Sequence, residues 1–318
     1  MPRAKIDSRG NHLDSLEMEP GIVILGCGYL GQELARQALS KGFRVTALTR
    51  NGETAECLRR EGAHLVVEAD LDDDVWHGQI NPEQDFVINC VGAAGGGMTG
   101  YVKSYLNGQN SVLRWLDKGR IGTFVFTSSV SVYPQTDGSM VSEESSHEGV
   151  SERGALLLEA ERVVFPGPDS IDRSFVLRLG GIYGPSRHLF LDRLRLGDRE
   201  LPGCAEFFLN LIHRDDACSA VWAALEAPAD MLGCVYNVSD GYPVTRGDLV
   251  SWLAARTGSA PVEFSGQSSS RHRSAAESVM PNRRVDNALI VQELDWHPRY
   301  PSFREGYDSM LVESQLPS

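Results

Sequence analysis

The sequence has no run of lysine or arginine residues, and its overall charge is strongly negative. It contains 30 Lys and Arg against 43 Asp and Glu, a formal net charge of −13 over 318 residues. Binding to nucleic acid or to an anionic membrane surface generally needs a basic patch. The composition therefore predicts that neither nucleic acid nor a membrane is a partner.

Cysteine is scarce, and its spacing excludes two common kinds of site. None of the six cysteines belongs to a C-x-x-C pair, and most lie inside apolar stretches. This pattern is typical of reduced core residues in a cytoplasmic protein rather than of a disulfide framework or a zinc site. No other His, Cys or Asp cluster has metal-ligand spacing, so we expect no metal.

Long uninterrupted hydrophobic runs are also missing. The charge-free stretch 86–102 contains five glycines and an asparagine, so it predicts a strand followed by a loop rather than a membrane span. Residues 1–19 are polar and lack the apolar core of a signal peptide. We expect them to form a disordered leader.

Short apolar runs alternate with amphipathic segments from residue 21 onward. The predicted strands are Ile22–Leu25, Arg44–Leu48, His64–Val67, Phe86–Val91, Thr123–Phe126 and Ser174–Leu179. The predicted helices are Leu30–Lys41, Thr54–Arg60, Tyr101–Lys118 and Glu152–Val164. Nearly continuous apolar strands that alternate with helices indicate an α/β fold, a Rossmann-type doubly wound parallel sheet.

The alternation fades after residue 185, which predicts a smaller C-terminal α+β lobe. We expect a nucleotide-binding domain over residues 20–185, which also receives strands from 208–240. Residues 186–318 would form a mixed substrate lobe, built from several insertions rather than joined by one linker.

The first turn of this series carries a glycine pattern. "IVILGCGYLGQELARQAL" places Gly26, Gly28 and Gly31 in G-x-G-x-x-G spacing between a strand and a helix, with Tyr29 and Leu30 among them. Such glycines permit a tight turn, the approach of a pyrophosphate and close helix–strand packing. The phosphates would lie at the helix N-terminus, where amide groups and the helix dipole favour anions.

The end of the second strand indicates which dinucleotide binds. NAD sites usually place an acid there to hold the ribose hydroxyls. Here "RVTALTR" ends in Arg50, 19 residues after Gly31. A cation suits a 2′-phosphate, so NADP is preferred and NAD is the alternative; Arg50 could also be an ordinary surface arginine. Asp70 and Leu71, at the tip of the third strand, would lie near the adenine.

Hydroxyl groups cluster where the fifth strand ends, in "TFVFTSSVSVYP". They could cap a turn or hold a substrate oxygen. With the glycine turn and several further segments, this stretch resembles the extended short-chain dehydrogenase/reductase superfamily, in its NAD(P)-dependent epimerase/dehydratase branch. The further segments are "VINCVG", "YLNGQNSVLRWL", "VLRLGGIYGP", "NLIHRDDACSAV" and "VYNVSDGYPVT".

The resemblance implies roles for individual residues. Ser129 matches the serine that hydrogen-bonds the substrate carbonyl or hydroxyl, and Asn107 matches a helix asparagine that supports a proton relay. Ser128 and Tyr133 would line the nicotinamide pocket, with Tyr133 beside the substrate. Further cofactor contacts are implied for Cys90, Val91 and Gly92.

One element of the family pattern is missing. Where the family has a Tyr-x-x-x-Lys acid/base pair, this sequence has Arg153 and Leu157, and no tyrosine lies between Tyr133 and Tyr183. A guanidinium cannot exchange a proton near neutral pH. Arg153 could bind an anionic substrate group or be a surface residue. Tyr183, which follows the sixth strand, is either a packing residue or a substitute catalyst.

Three functional interpretations follow. The leading one is a cytoplasmic NADP(H)-dependent oxidoreductase or epimerase that acts on a small carbonyl, hydroxyl or sugar-nucleotide-like substrate with a non-standard acid/base. The first alternative is a catalytically silent NADP(H)-binding sensor or scaffold. The second is an isomerase or lyase without net redox change. A homodimer formed through helices 101–118 and 151–164 is possible.

Overall fold

The computed structural model describes residues 20–93, 97–266 and 281–313. The predicted leader, residues 1–19, lies outside the described residues. In chain order the strands are β1 (Gly21–Leu25), β2 (Arg44–Thr49), β3 (Leu65–Glu68), β4 (Gln84–Asn89), β5 (Ile121–Ser129), β6 (Met140–Val141), β7 (Ile171–Leu179), β8 (Gly181–Tyr183), β9 (Glu200–Leu201), β10 (Phe208–Leu209), β11 (Leu211–His213), β12 (Gly233–Val238), β13 (Val244–Thr245), β14 (Glu263–Phe264) and β15 (Arg284–Val285).

The α-helices, in the same order, are α1 (Tyr29–Ser40), α2 (Gly52–Arg60), α3 (Gly97–Tyr101), α4 (Gly108–Leu116), α5 (Glu152–Val164), α6 (Leu189–Arg195), α7 (Arg214–Leu225), α8 (Arg246–Thr257), α9 (Ala288–Leu294) and α10 (Phe303–Glu313). The helix predicted over Tyr101–Lys118 is interrupted. A π-helical segment, Val102–Asn107, separates α3 from α4. Short 3₁₀ segments follow β3 and β5.

The central sheet is parallel throughout and confirms the predicted fold class. Its strand order is β12-β7-β5-β4-β1-β2-β3. The chain runs outward from β1 through β2 to β3, then returns to the other side of β1 at β4. Beyond the carboxyl ends of β1 and β4 the connections diverge to opposite faces of the sheet. This switch point is where parallel α/β sheets bind ligands.

Two apolar layers cover the sheet, which explains why its strands are apolar on both faces. One layer packs α1, α7 and α9 against the sheet, with Leu34, Val221 and Ile290 fully buried. The other packs α4 and α5 on the opposite face, around Trp76 and Trp115. The six predicted strands are all present in this sheet, and β12 is the seventh.

A separate apolar cluster marks a smaller second lobe. It gathers side chains of α6, α8 and α10, including Leu191, Leu253 and Phe303. Short strands connect this lobe to the central sheet. Strand β8, which follows β7 in the chain, pairs in parallel with β11. Among the described helices, none has both the length and the apolar character that crossing a membrane requires.

Candidate nucleotide and substrate cleft

A cleft of about 790 Å³ follows the carboxyl edge of the sheet. It is continuous from the loop after β2, past the turns after β1 and β4, to the ends of β5 and β7. Its walls include Gly26–Leu30, Leu48–Asn51, Cys90–Ala93, Thr127–Ser129 and Leu179–Ile182. The cleft therefore crosses the switch point and brings both ends of the predicted site together.

The three glycines of the first turn have different environments. Gly26 has a φ of +93°, and a Cβ there would lie 2.5 Å from the Val91 side chain. Gly31 faces away from the cleft, and a Cβ there would lie 2.5 Å from the Gly26 carbonyl oxygen. A Cβ on Gly28 would meet nothing within 4 Å. The turn thus needs Gly26 and Gly31 for its own packing, whereas Gly28 leaves open space at the cleft.

The N-terminus of α1 is open to that space. Its N-cap residue, Gly28, provides no side-chain cap, and no acidic residue lies in the first turn. The first amide groups of the helix are therefore left without intrahelical acceptors, in a place where the helix dipole favours an anion. A dinucleotide pyrophosphate fits this position.

The cleft end beside β2 and β3 is lined by charged side chains. Arg50 is about half exposed, and one of its Nη atoms lies 4.0 Å from Asp70 Oδ1. Lys103, on the π-helical segment, donates a 2.7 Å hydrogen bond to Asp70 Oδ2. This hydrogen bond raises the pKa of Lys103. No sequence pattern indicated Lys103, because only the folding of the π-helical segment over β3 brings it to Asp70.

At the other end, the hydroxyls of β5 have separate partners. Ser128 Oγ donates a 2.5 Å hydrogen bond to Glu161 Oε1 on α5. Ser129 Oγ accepts a hydrogen bond from the Ser131 backbone amide at 3.2 Å and lines the cleft. Ser129 thus both caps the turn after β5 and presents its hydroxyl to the cleft. The two functions considered for the cluster are compatible in one residue.

Tyr133 does not line this cleft, so its predicted place beside the substrate is wrong. The residue is 1% exposed. Its hydroxyl donates to Asn237 Oδ1 at 2.7 Å and accepts from an Arg178 Nη at 2.8 Å. Arg178 in turn pairs with Glu161 at 2.7 Å, with both side chains buried. Tyr133 therefore belongs to a buried network beneath the cleft floor.

Tyr183 is also turned away from the cleft, so the structure does not support it as a catalyst. The residue is buried, its ring stacks on Tyr307 with centroids 5.0 Å apart, and its hydroxyl approaches Gly306 too closely for a Cβ there. Burial raises the pKa of this phenol far above its ordinary range. In the structure Tyr183 is therefore a packing residue.

Asn107 lies outside the cleft lining as well. Its side chain is exposed at the end of the π segment. The predicted proton relay through Asn107 therefore lacks the contact it needs. Ser104, one turn earlier, is buried and lines the cleft instead.

Helix α5 carries Arg153 and Leu157, the two positions at which the sequence differs from the family pattern. Arg153 stacks over the ring of Tyr101, with its guanidinium carbon 5.3 Å from the centroid. Leu157 is buried in a small apolar cluster with Val130. Tyr101 and Tyr105 pack together at 5.3 Å and both line the cleft. The α5 positions thus provide no phenol, but two phenols face the cleft from the neighbouring helical segments.

His213 begins helix α7. It is the N-cap of the helix, and its Nδ1 accepts a hydrogen bond from the Asp215 amide. Asp216 accepts from two backbone amides of the C-terminal segment, Arg299 and Tyr300.

The described residues contain no group of three or more His, Cys, Asp and Glu placed to hold a metal ion.

Comparison with known proteins places these features in a family. Residues 22–239 match the model of the NAD dependent epimerase/dehydratase family. "Protein YeeZ" of Escherichia coli strain K12 is 28% identical over 287 residues, which cover 88% of this chain and 96% of that protein. The 2-alkyl-3-oxoalkanoate reductase of Stenotrophomonas maltophilia is 27% identical over 256 residues, covering 76% and 77%. A Methylobacillus flagellatus structure described as an NAD-dependent epimerase/dehydratase superposes with a TM-score of 0.74, at 26% identity, covering 93% and 99%.

Proposed function

Because the chain belongs to the NAD dependent epimerase/dehydratase family, we propose that it is a nicotinamide-dependent oxidoreductase or epimerase with a preference for NADP(H). One observation carries the proposal. A single cleft at the switch point joins the open N-terminus of α1 to the Ser129 hydroxyl. The nicotinamide cofactor supplies or accepts a hydride when bound. Nothing in the comparisons favours the silent sensor or scaffold.

The preference for NADP(H) is supported by the charges at the ribose end. The Asp70 carboxylate accepts a hydrogen bond from Lys103 at 2.7 Å, a much closer partner than Arg50 at 4.0 Å. Arg50 is about half exposed and lies beside Asn51, which caps α2. Its guanidinium can form a bidentate contact with a 2′-phosphate. Asp70 would then contact the adenosine side.

The substrate is proposed to be a small molecule with a reactive carbonyl or hydroxyl, oriented by Ser129. The reductase named above acts on an oxoalkanoate, which supports carbonyl reduction as the reaction type. A hydroxyl held at the end of a central strand cannot swing far, because Ser129 is already tied to the Ser131 amide. It is therefore suited to hold a reacting oxygen in place.

We place the protein in the cytoplasm, which its six free cysteines support.

The proton for such a reduction is proposed to come from Tyr105 or Tyr101. Burial raises the pKa of the Tyr105 phenol to about 12, so at neutral pH it holds the proton that a reduction consumes. Tyr101 lies beside the permanent cation of Arg153. Tyr29, the third phenol lining the cleft, donates its proton to the Pro185 carbonyl oxygen at 2.9 Å. Single Phe substitutions of Tyr101 and Tyr105 would show which one donates.

The experiment that tests this proposal compares Ser129→Ala with wild type on a panel of small carbonyl and sugar-nucleotide compounds. We expect NADPH affinity to stay unchanged and turnover to fall about 10²-fold, because the lost hydrogen bond is directed at the reacting oxygen. Ser131→Ala is the matched control, since it keeps the backbone amide that Ser129 accepts from. Wild-type turnover that is indifferent to Ser129 would contradict the site. A wild type that binds NADPH but turns over nothing would favour the silent alternative.

A further inference from the structure

A third cation faces the cleft from the second lobe. Besides Arg50 and Lys103 at the ribose end, the cleft is lined by Arg187, in the segment that follows β8. Its guanidinium carbon lies 5.3 Å from the centroid of the Tyr29 ring. Tyr29 is the first residue of α1, directly after Gly28. Arg187 is therefore held beside the helix end where the cofactor pyrophosphate fits.

The turn that carries Arg187 is built against Tyr29. Gly184 and Arg187 exchange backbone hydrogen bonds of 3.0 and 3.1 Å. The Tyr29 hydroxyl donates to the Pro185 carbonyl oxygen at 2.9 Å. Gly184 has a φ of +150°, and a Cβ there would lie 2.7 Å from that hydroxyl. The turn is thus fastened to α1 at the position from which Arg187 reaches the cleft.

A second arginine, Arg214, also lies against the Tyr29 ring, but its charge has partners that Arg187 lacks in the part of the chain that the structure describes. Arg214 lies 5.4 Å from the Tyr29 centroid and pairs with Asp215 at 2.9 Å and with Glu33 at 3.4 Å. Within the described residues no carboxylate lies within ion-pair distance of Arg187, and its side chain is exposed. Arg187 is therefore the cation at this end of α1 that is available to an anion in the cleft.

We propose that Arg187 binds the pyrophosphate of the nicotinamide cofactor, opposite the N-terminus of α1, so that the phosphates are held between the two lobes. The inference rests on the proposed function. A planar guanidinium can contact two phosphate oxygens at once. Because the pyrophosphate is common to NADPH and NADH, Arg187 contributes to affinity without selecting between them. Arg50 has the opposite role, since the 2′-phosphate occurs in NADPH alone.

Calorimetric titration of the full chain with ADP-ribose, NADH and NADPH tests this proposal. ADP-ribose contains the pyrophosphate but no nicotinamide and no 2′-phosphate. We expect Arg187→Gln to weaken all three by the same factor, about tenfold, and to leave the ratio of NADPH to NADH affinity unchanged. Arg187→Lys should lose less, because it keeps the charge. Arg195→Gln, an exposed arginine on α6, is the control with the same change in net charge.

Three results would overturn the inference. Equal ADP-ribose affinity in Arg187→Gln and wild type would show that the pyrophosphate lies elsewhere. An Arg187→Gln variant with normal ADP-ribose affinity but a raised substrate KM would place a substrate anion, not the cofactor, against Arg187. Failure of wild type itself to bind ADP-ribose and both dinucleotides would remove the proposed function, and this inference with it.

Discussion

Arg50 is the residue proposed to distinguish NADPH from NADH, two cofactors of nearly the same shape. It is exposed beside the cap of α2, and the nearest described carboxylate, Asp70, is held more closely by Lys103. We expect Arg50→Ala to weaken NADPH binding by about ten- to 100-fold and to change NADH binding little, because a charge-assisted phosphate contact contributes roughly 1.5–3 kcal/mol. Fluorescence titration with both cofactors checks this.

Arg59→Ala is the control for Arg50, since Arg59 lies at the far end of α2 and pairs with Glu68. Its effect on both cofactors should be small. Equal NADPH and NADH affinities in the wild type would contradict the assignment and make NAD the natural cofactor.

Gly28 and Gly31 should respond differently to the same kind of substitution. A Cβ on Gly28 meets open space, although the ψ of −147° is unusual for a residue with a side chain, so Gly28→Val should keep the fold at some cost in stability and lose nucleotide binding. A Cβ on Gly31 would collide with the Gly26 carbonyl and the Cys90 sulfur. Gly31→Ala should therefore lower the free energy of unfolding, by roughly 1–3 kcal/mol.

Thermal unfolding and ADP-ribose titration of both glycine variants separate these outcomes. A Gly28→Val protein that binds ADP-ribose as wild type does would place the phosphate site elsewhere. A Gly31→Ala protein with unchanged stability would mean that helix and strand tolerate a wider spacing than the structure shows.

Two tyrosines show which site positions the sequence could not predict. The glycines, Arg50 and Ser129 were placed by short sequence motifs, in which residues close together in the chain determine the position. Tyr133 and Tyr183 are sealed by partners more than 40 residues away, Arg178 and Asn237 for the first and Tyr307 for the second. The alternation of residues along a strand predicts the face of the sheet on which a side chain lies. It does not predict which residues from distant parts of the chain cover that side chain.

Among the elements, the central strands were predicted well and their ends less so. β4 stops at Asn89, so Cys90 and Val91 leave the sheet and form part of the cleft wall. β5 continues to Ser129, three residues further than its apolar run indicated. Strand ends depend on pairing with a neighbour, here β7, and hydroxyl side chains do not prevent that pairing.

Helix α5 and strand β7 share a buried ion pair that the sequence did not reveal. Glu161 and Arg178 are each about 5% exposed, and Glu161 also accepts a hydrogen bond from the Ser128 hydroxyl. A buried pair of this kind stabilises little in itself, but removing one partner leaves a buried charge. The network therefore fixes the part of β5 that carries Ser129. On α5, which the sequence offered as part of a homodimer interface, Leu157 and Leu158 are covered by the chain itself, and the homodimer stays a prediction.

The turn after β12 gives a pH-dependent prediction. Burial raises the pKa of Asp240 to about 8, and the nearby carboxylates Asp216 and Glu305 add to the rise. In the unfolded chain an aspartate titrates near pH 4, roughly. The folded protein therefore binds a proton that the unfolded chain has lost, and stability from this group is present below about pH 4 and lost as the pH rises to about 8.

Asp240→Asn should remove this dependence, because the amide resembles the protonated carboxyl and can still accept from the Tyr242 amide. We expect its thermal midpoint to fall less between pH 5 and pH 8 than that of wild type, by the equivalent of roughly a few kcal/mol. Asp117→Asn, an exposed site at the end of α4, is the control. Parallel pH profiles for Asp240→Asn and wild type would contradict the buried, protonated state.

At the scale of the whole molecule, the proposed site draws residues from both lobes. The predicted division at residue 185 remains a prediction, but it falls between β8 and Arg187, within the turn fastened to Tyr29. Two short strand pairs, β11 with β8 and β15 with β6, connect residues on either side of that division. We expect substrate identity to depend on the loop after β5 and on this lobe, where the fold alone does not specify chemistry.

The measurement that tests the central claim most directly is transfer of deuterium from NADPH labelled at the nicotinamide C4 to a substrate of the panel. Mass spectrometry would follow the label, with Ser129→Ala and Gly28→Val beside wild type. We predict that wild type moves deuterium to a carbinol carbon, that Ser129→Ala does so about 10²-fold more slowly with unchanged NADPH affinity, and that Gly28→Val shows neither binding nor transfer. Tight NADPH binding by wild type without transfer to or inversion of any compound would contradict the enzyme and leave a nucleotide-binding scaffold.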